Sequence, residues 1–369
     1  MMKKQLYIFL VSLFILGQGC SQRVNENSFF NYRVENTNSD YPILSLTPSQ
    51  KSVHKSITSD CLIRDSLIIS LGRGEHLFSI SPISNEDSVL LFCRRGRTYN
   101  EPISSLPLSD LYDDVTGNRC ADVFSYNDGK LLVWNVTESI KRESDVFEKI
   151  SYLNNGLPLP VLSTQRLNEK LICVYDSGQD PDNPNLLYPP CYKIIDTDSG
   201  KVINQFSPFR ILRVKTDNLV FSMKTFLSTV DCLSPDKTKL IYAMSYLPVI
   251  NILDLKTGET KGYRIRGAEK FSPSFHRWFF ADVQADDKFI YALYSGKVFD
   301  GRGSEIPNNL FIFDWSGKIF AEYKLERGYT NLNIDNGYLY LSCTDGALAS
   351  IECTAFVSPH CTGTHTLFE

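Results

Sequence analysis

The feature that most constrains the fold of this chain is a repeated unit of two apolar runs joined by a short polar turn. Six such turns occur, at Arg64-Asp65-Ser66, Asn127-Asp128-Gly129, Asn168-Glu169-Lys170, Pro235-Asp236-Lys237, Asp286-Asp287-Lys288 and Asp335-Asn336-Gly337. Their mean spacing is about 54 residues, which is in the range of propeller repeats. Three units add a second Asp- and Gly-containing turn, at residues 196–201, 254–259 and 314–318. Four strands per unit are typical of a β-propeller blade.

The repeat therefore predicts an all-β fold, a six-bladed β-propeller with four-stranded antiparallel blades. The alternative is a β-sandwich or two separate β domains. One stretch departs from the strand pattern, because apolar residues recur at helical spacing over residues 137–153. We expect a short helical insertion there, after the inner strands of the second blade. Residues 29–46 are expected to supply the strand that closes the ring against the last blade.

The amino terminus is expected to be a targeting segment. Lys3 and Lys4 precede the apolar residues 6–16, a run too short to cross a bilayer as a helix. A small residue, Gly19, then precedes Cys20, as in a bacterial lipobox. We predict a lipoprotein signal peptide at 1–19, lipidation at Cys20, a tether at 20–28 and one propeller domain at 29–369. The alternative is plain secretion with an incidental Cys20.

A lipid anchor predicts a location in the cell envelope. Ser21 follows the cysteine, so no aspartate signals retention at the inner membrane, and we expect the outer membrane. The other nine cysteines include no CxxC pair, and most lie in apolar runs, which predicts small core residues rather than metal ligands. Disulfides between Cys173 and Cys191 or between Cys353 and Cys361 are the alternative in an exported protein.

Three long segments are expected to lie on one face of the propeller. They are residues 94–119 between the first two blades, 176–190 in the third blade and 295–309 in the fifth. In an up-and-down blade, the connections between the second and third strands and those between successive blades lie at the same end. Long loops on one face of a rigid scaffold are a common place for function. The alternative is neutral insertion into tolerant loops.

Segments of the later repeats resemble a known family. Residues 282–297 (DVQADDKFIYALYSGK) and 310–318 (LFIFDWSGK) are similar to the TolB-like six-bladed propeller lipoproteins of Bacteroides and relatives. Residues 92–102 (FCRRGRTYNEP) look like a degenerate form of that group's segment between the first two blades. The resemblance implies a six-bladed propeller on a lipoprotein, and it implies no activity.

The search for catalytic chemistry finds no GxSxG, HExxH or P-loop motif. The best candidates for a site at the mouth of the central channel are Asp231, His276, Arg277 and Asp282. His276 and Arg277 begin an aromatic segment, HRWFFAD, that leads to Asp282. The simpler interpretation is loop packing with a solvated arginine. We expect no catalytic residue, no metal and no cofactor.

Two functions remain open from the sequence. The first is a non-enzymatic binding or scaffold protein whose long-loop face takes an unknown protein, peptide or glycan. The second is a carbohydrate-active or other hydrolytic propeller with a site at the channel mouth, recognised by two facing carboxylates. The net charge of -4 is nearly balanced, with 38 Lys+Arg against 42 Asp+Glu, and indicates no nucleic-acid partner.

Overall fold

The computed structural model describes residues 26–54, 57, 60–72, 74–85, 87–126, 128–153, 161–176, 189–210, 227–269, 277–299 and 305–356. A 3₁₀ turn at Glu26–Phe29 comes first. Three strands precede the first blade: β1 Val34–Asn36, β2 Ile43–Leu46 and β3 Ser49–Val53. Cys20, His276 and Cys361 lie outside the described residues, so the predictions for them stay predictions.

The strands that follow form six sheets, which we number as blades in chain order. Blade one contains β4 Cys61–Arg64, β5 Leu67–Leu71, β6 His76–Pro82 and β7 Leu90–Arg94. Blade two contains β8 Tyr112–Asp113, β9 Arg119–Ser125, β10 Lys130–Asn135 and, after the helix α1 Val136–Arg142, β11 Phe147–Tyr152. Blade three contains β12 Val161–Arg166, β13 Leu171–Asp176, β14 Tyr192–Asp196 and β15 Val202–Phe206.

Blades four to six complete the ring. Blade four contains β16 Thr229–Leu233, β17 Lys239–Met244, β18 Val249–Asp254 and β19 Thr260–Arg264. Blade five contains β20 Arg277–Ala285, β21 Phe289–Val298, β22 Asn309–Asp314 and β23 Ile319–Leu325. Blade six contains β24 Asn331–Asp335, β25 Tyr338–Ser342 and β26 Ala347–Glu352. A second 3₁₀ turn, Cys353–Phe356, follows β26.

The first strand of each blade lies nearest the centre, and from blade three round to blade one successive blades contact each other through these inner strands. β12 contacts both β9 and β16, β16 contacts β20, β20 contacts β24, and β24 contacts β4. Blades one and two are joined by an ion pair between Arg64 and Asp110. The contacts form a closed ring, so the predicted six-bladed β-propeller is confirmed and the sandwich alternative is wrong.

The ring is closed by a strand other than the predicted one. β3 pairs antiparallel with β26 and becomes the fourth strand of blade six, next to β24, β25 and β26. Residues 29–46, predicted to close the ring, pair in parallel instead, through β1 with β19 and through β2 with β23. Blades four and five thereby gain a fifth strand. This strand covers the backbone groups that the outer edge of each blade would otherwise present unpaired.

Blade two departs from the sequence prediction in two ways. The helix covers only Val136–Arg142 and ends where Glu143 adopts a left-handed conformation with φ of 50°. Residues 147–152, predicted as its continuation, form β11, which supplies hydrogen-bond partners to the edge of β10. The second correction concerns the inner strand, because β8 lies inside the segment 94–119 that was predicted as a loop. The turn at Asp128-Gly129 therefore joins the second and third strands of the blade, β9 and β10.

The core is divided among the interfaces between blades, with one apolar cluster at each. Between blades one and two, Trp134 is fully buried and stacks on Phe78 with ring centroids 5.5 Å apart. All eight described cysteines are free thiols, so the structure does not contain the Cys173–Cys191 disulfide that was the alternative. Both of these thiols are buried, as expected of core residues.

Candidate functional site

The two faces of the propeller differ in the length of their loops. β7, β13 and β21 end where the inner strands begin, which is the end predicted for the three long segments, and we call this end the loop face. The opposite face carries tight turns, in which an aspartate accepts backbone N–H groups. Asp196, for example, accepts from Ser199 at 2.7 Å, which lowers the pKa of its carboxyl group.

Asp231, in the middle of β16, joins blade four to blade three. Its two carboxylate oxygens accept hydrogen bonds from Ser163 Oγ at 2.6 Å, Gln165 Nε2 at 2.9 Å and Tyr192 Oη at 3.3 Å. Burial raises the pKa of this carboxyl group, although the three donors act in the opposite direction. Every donor comes from blade three, so Asp231 acts as an inter-blade contact at the channel wall.

Asp282, on β20, joins blade five to blade six. One oxygen accepts the N–H of Leu332 in β24 at 2.6 Å, and the other accepts the N–H of Val283 at 2.8 Å. Burial raises the pKa of Asp282 to about 7, with smaller contributions from the negative charges of Asp60 and Asp231. The side chain is half-buried, because it borders the channel while protein surrounds it on the other sides.

Asp60 is a third acid of the channel that sequence reasoning missed. It directly precedes β4 and therefore lies where the channel opens on the loop face. Crowding by surrounding protein atoms raises its pKa, although the residue is exposed. No motif marks this position in the sequence. It becomes visible only when the first strands of blades one, four and five are brought around one axis.

The candidate residues predicted for one site are only partly brought together. Asp231 and Asp282 lie on neighbouring inner strands and interact electrostatically. Arg277 begins the same strand as Asp282, but its Nη1 donates to the carbonyl oxygen of Gly296 on β21 at 2.6 Å. It therefore packs against its own blade.

Polar contacts between inner strands recur around the ring. Arg166 on β12 pairs with Asp122 on β9, through a bond of 2.7 Å from Nε and a second bond from Nη2. Both side chains are almost completely buried. Between blades six and one, Asn333 accepts the N–H of Ile63 at 3.0 Å and donates to the carbonyl of Cys61 at 3.1 Å. Asp231 and Asp282 belong to this series of inter-blade contacts.

A cleft of about 460 Å³ opens on the loop face between blades five and six. Four segments form it: the end of β21, the residues before β22, the β23–β24 connection and the β25–β26 turn. Its lining residues are Lys297, Ile306, Asn308, Glu326, Arg327, Gly328, Cys343, Thr344 and Asp345. Its volume lies in the usual range of ligand pockets. Sequence analysis pointed to one wall, residues 295–309, and missed the other three segments.

The cleft walls are held together by backbone hydrogen bonds. Leu325 N–H donates to the carbonyl of Asn308 and Tyr329 N–H to that of Pro307, each at 2.9 Å. Gly328 allows the closest approach, because a Cβ there would lie 2.4 Å from a methyl carbon of Ile306. The cleft is therefore preformed rather than a gap between independent loops.

One ion pair lies inside the cleft. Arg327 Nη2 contacts Asp345 Oδ2 at 2.5 Å, and the guanidinium group also lies over the ring of Tyr329, 5.6 Å from its centroid. The hydrogen bond from Arg327 lowers the pKa of Asp345. Arg327 is thus oriented on two sides, by a carboxylate and by an aromatic face.

Over the part of the chain that the structure describes, no group of three or more His, Cys, Asp or Glu side chains is arranged to hold a metal ion. Within the same ranges, no helix has the length and apolar character needed to cross a membrane.

Comparisons with known proteins give a fold-level likeness. No protein-family model matches the chain, and no curated protein matches it. Among solved structures, the crystal structure of BamB from Moraxella catarrhalis aligns with 80% of this chain and 82% of that chain, at 13% sequence identity and a TM-score of 0.40. A likeness at this level carries no functional argument, and the propeller assignment follows from the six sheets themselves.

Proposed function

We propose that this protein is an exported, lipid-anchored β-propeller that acts as a non-enzymatic binding or scaffold protein through its loop face. The proposal includes the finer placement among TolB-like lipoproteins, supported by the segments 282–297 and 310–318. Lipidation at Cys20 and an outer-membrane location are parts of the same proposal. Its ligand is a protein or peptide segment, or else a glycan.

The observation that supports binding over catalysis is the engagement of the channel acids. Asp231 accepts three side-chain hydrogen bonds from blade three, and Asp282 accepts two backbone hydrogen bonds, one of them from blade six. A general acid or a nucleophile needs a carboxyl oxygen free to reach its substrate. Both oxygens of Asp231 and one oxygen of Asp282 instead hold neighbouring blades together, which leaves the long-loop face as the binding surface of the ring.

The loop face also carries exposed aromatic residues. Tyr99, between blades one and two, is 64% exposed, and Phe299, after β21, is 50% exposed. Aromatic side chains are enriched at protein interfaces because they bury a large area with few rotatable bonds. None of the residues that line the cleft is aromatic, so the cleft has no platform for stacking a sugar ring. Both observations favour a polypeptide ligand over a glycan.

Site-specific photo-crosslinking of the full-length protein in its own cells tests this proposal. A photoreactive amino acid is placed at Tyr99 or Phe299 on the loop face, and at the exposed Ser66 or Asn336 on the opposite face as matched controls. We expect the two loop-face positions to crosslink to the same protein and the controls to give no such product. Equal crosslinking from both faces, or none from the loop face, would refute the proposal.

The anchor is tested separately at Cys20. Metabolic labelling with a fatty acid, followed by mass spectrometry of the mature amino terminus, should detect an acylated Cys20. The Cys20→Ala variant should lose both the label and sedimentation with membranes. A mature protein that starts elsewhere and carries no acyl group would contradict lipid anchoring, and it would leave the loop-face proposal to the crosslinking result.

One observation favours a hydrolytic function as the second candidate. The pKa of Asp282, raised to about 7 by burial, suits a group that donates a proton near neutral pH. Asp231 would be the second carboxylate. Chromogenic glycoside, ester and phosphate substrates would be offered to the wild type and to Asp282→Asn. Turnover that disappears in the variant, with an unchanged circular dichroism spectrum, would establish this candidate in place of the first.

A further inference from the structure

The cleft between blades five and six contains two charged groups that form no ion pair with any residue the structure describes. Lys297 and Glu326 both line it, and both are exposed. Among the described residues, neither forms an ion pair, whereas the two other charged lining residues, Arg327 and Asp345, neutralise each other. Glu326 accepts a hydrogen bond from the hydroxyl of Thr47, a neutral donor that leaves the charge in place.

The two charges belong to different segments of the cleft. Lys297 is the penultimate residue of β21 in blade five, and Glu326 follows β23 in the connection to blade six. Since no ion pair joins them, the ammonium nitrogen and the carboxylate oxygens are more than 4 Å apart across a space of about 460 Å³. A ligand that enters this space meets a cation on one side and an anion on another.

The remaining lining groups suit an extended polar chain. Asn308 and Thr344 offer an amide and a hydroxyl group, and Ile306 and Cys343 offer small apolar surfaces. A peptide backbone needs such hydrogen-bonding side chains, while its side chains carry the charge pattern. Lys297 lies on β21, which pairs with β20 and β22, and Glu326 follows Leu325, whose N–H donates to Asn308. The backbone that carries both charges is therefore ordered before binding, which reduces the entropic cost of association.

We propose that the cleft binds a zwitterionic polypeptide segment, with an acidic side chain at Lys297 and a basic side chain at Glu326. This inference deepens the proposed binding function and rests on it. Each charge contact lies in a half-open cleft, where ion pairs are screened by water. We therefore expect each to change the dissociation constant by about two- to tenfold, and the effect to fall with rising salt.

The test uses the full chain and fluorescent, capped hexapeptides followed by fluorescence anisotropy at low ionic strength. The probes contain one Glu and one Lys at varied spacing, with Glu-only, Lys-only and all-Gln peptides as references. We expect some Glu–Lys peptides to bind the wild type about tenfold more tightly than any reference peptide. Lys297→Gln and Glu326→Gln should each remove most of that preference.

Matched controls separate local charge from general effects. Lys288→Gln and Glu352→Gln change exposed residues near the opposite face and should leave the preference intact. The double variant Lys297→Glu/Glu326→Lys should prefer peptides in which the order of Glu and Lys is reversed. A merely structural role of the two residues would not produce that reversal.

The outcomes separate this inference from the broader proposal. If no Glu–Lys peptide binds more tightly than the references, or if the control variants lose the preference equally, the zwitterion inference is overturned. Crosslinking from Tyr99 and Phe299 to one protein would still uphold loop-face binding. Conversely, a preference for Glu–Lys peptides without crosslinks from Tyr99 or Phe299 would support peptide binding in the cleft and refute protein binding through the rest of the loop face.

Discussion

Replacing Asp282 by Asn should reduce the dependence of stability on pH. The folded protein raises the pKa of this carboxyl group from 3.8 to about 7. A group whose folded pKa is raised binds its proton more tightly in the folded state. Its favourable contribution is therefore fully present below about pH 4 and is lost as pH rises toward 7. Above that range the ionised carboxylate is less favourable in the fold than in the unfolded chain.

The magnitude follows from the size of the shift. A difference of about three pKa units corresponds to about 4 kcal/mol between low and neutral pH. Roughly two-thirds of it, about 2.7 kcal/mol, falls between pH 5 and pH 8, because the unfolded chain is already ionised at pH 5. Water in the channel screens the half-buried carboxylate and lowers this figure, so we expect about 1 to 2 kcal/mol over that interval.

The assay is urea denaturation of wild type and variant at about pH 5, 6, 7 and 8. An Asn side chain has one acceptor oxygen, so it keeps only one of the hydrogen bonds from Leu332 and Val283. This loss lowers the free energy of unfolding by about 1 to 3 kcal/mol at every pH. The informative quantity is therefore the change in the free energy of unfolding with pH, rather than its value at one pH.

Two comparisons decide the result. In Asp282→Asn, the decline in the free energy of unfolding from about pH 5 to about pH 8 should be smaller than in wild type by about 1 to 2 kcal/mol. Asp254→Asn is the control, because hydrogen bonds lower the pKa of Asp254 and its effect on pH dependence is confined to more acidic conditions. Equal declines in wild type and Asp282→Asn would refute the assignment of a raised pKa to Asp282.

Two further changes test the blade contacts by urea denaturation. Arg166→Met should lower the free energy of unfolding by about 3 to 5 kcal/mol, because it leaves Asp122 buried without its partner. Adding Asp122→Leu should recover most of this stability, and a double variant no more stable than Arg166→Met would contradict the explanation. Gly346→Ala should lower the free energy of unfolding by about 1 to 3 kcal/mol. Gly346 has φ of +89°, and a Cβ there would lie 2.7 Å from the carbonyl oxygen of His54, beside the closing strand. Gly267→Ala, with φ of +79° and open space around it, should cost less, and an equal cost would contradict a steric contribution.

The strand-turn-strand units were readable from the sequence because their signals are local. Turns such as Pro235-Asp236-Lys237 fix where one strand ends and the next begins, and the apolar runs beside them alternate between the two faces of a blade. Blade two shows the limit of this reasoning. Its inner strand β8 has only two residues, so the long segment before it lacks strand periodicity. Residues 147–152 carry apolar positions that fit either a helix or a strand, and pairing with β10 decided for the strand.

The candidate site was less predictable than the fold. Asp231 and Asp282 were identified as channel residues, but their hydrogen-bond partners in other blades lie 39 to 68 residues away in sequence. Nothing local to Asp282 indicates that Leu332 will donate to it. The cleft has the same character, since its walls come from four separate segments of blades five and six.

The sequence by itself determined the number of blades, the positions of most strands and the face that carries the long loops. These properties depend on hydrophobic periodicity and turn residues, which act over a few neighbouring positions. Only the tertiary structure decided that Ser49–Val53 closes the ring, that Asp231 and Asp282 serve as inter-blade contacts, and that Lys297 and Glu326 line the same cleft. Those outcomes depend on how six similar sheets pack around one axis, because packing brings together side chains whose separation along the chain carries no local signal.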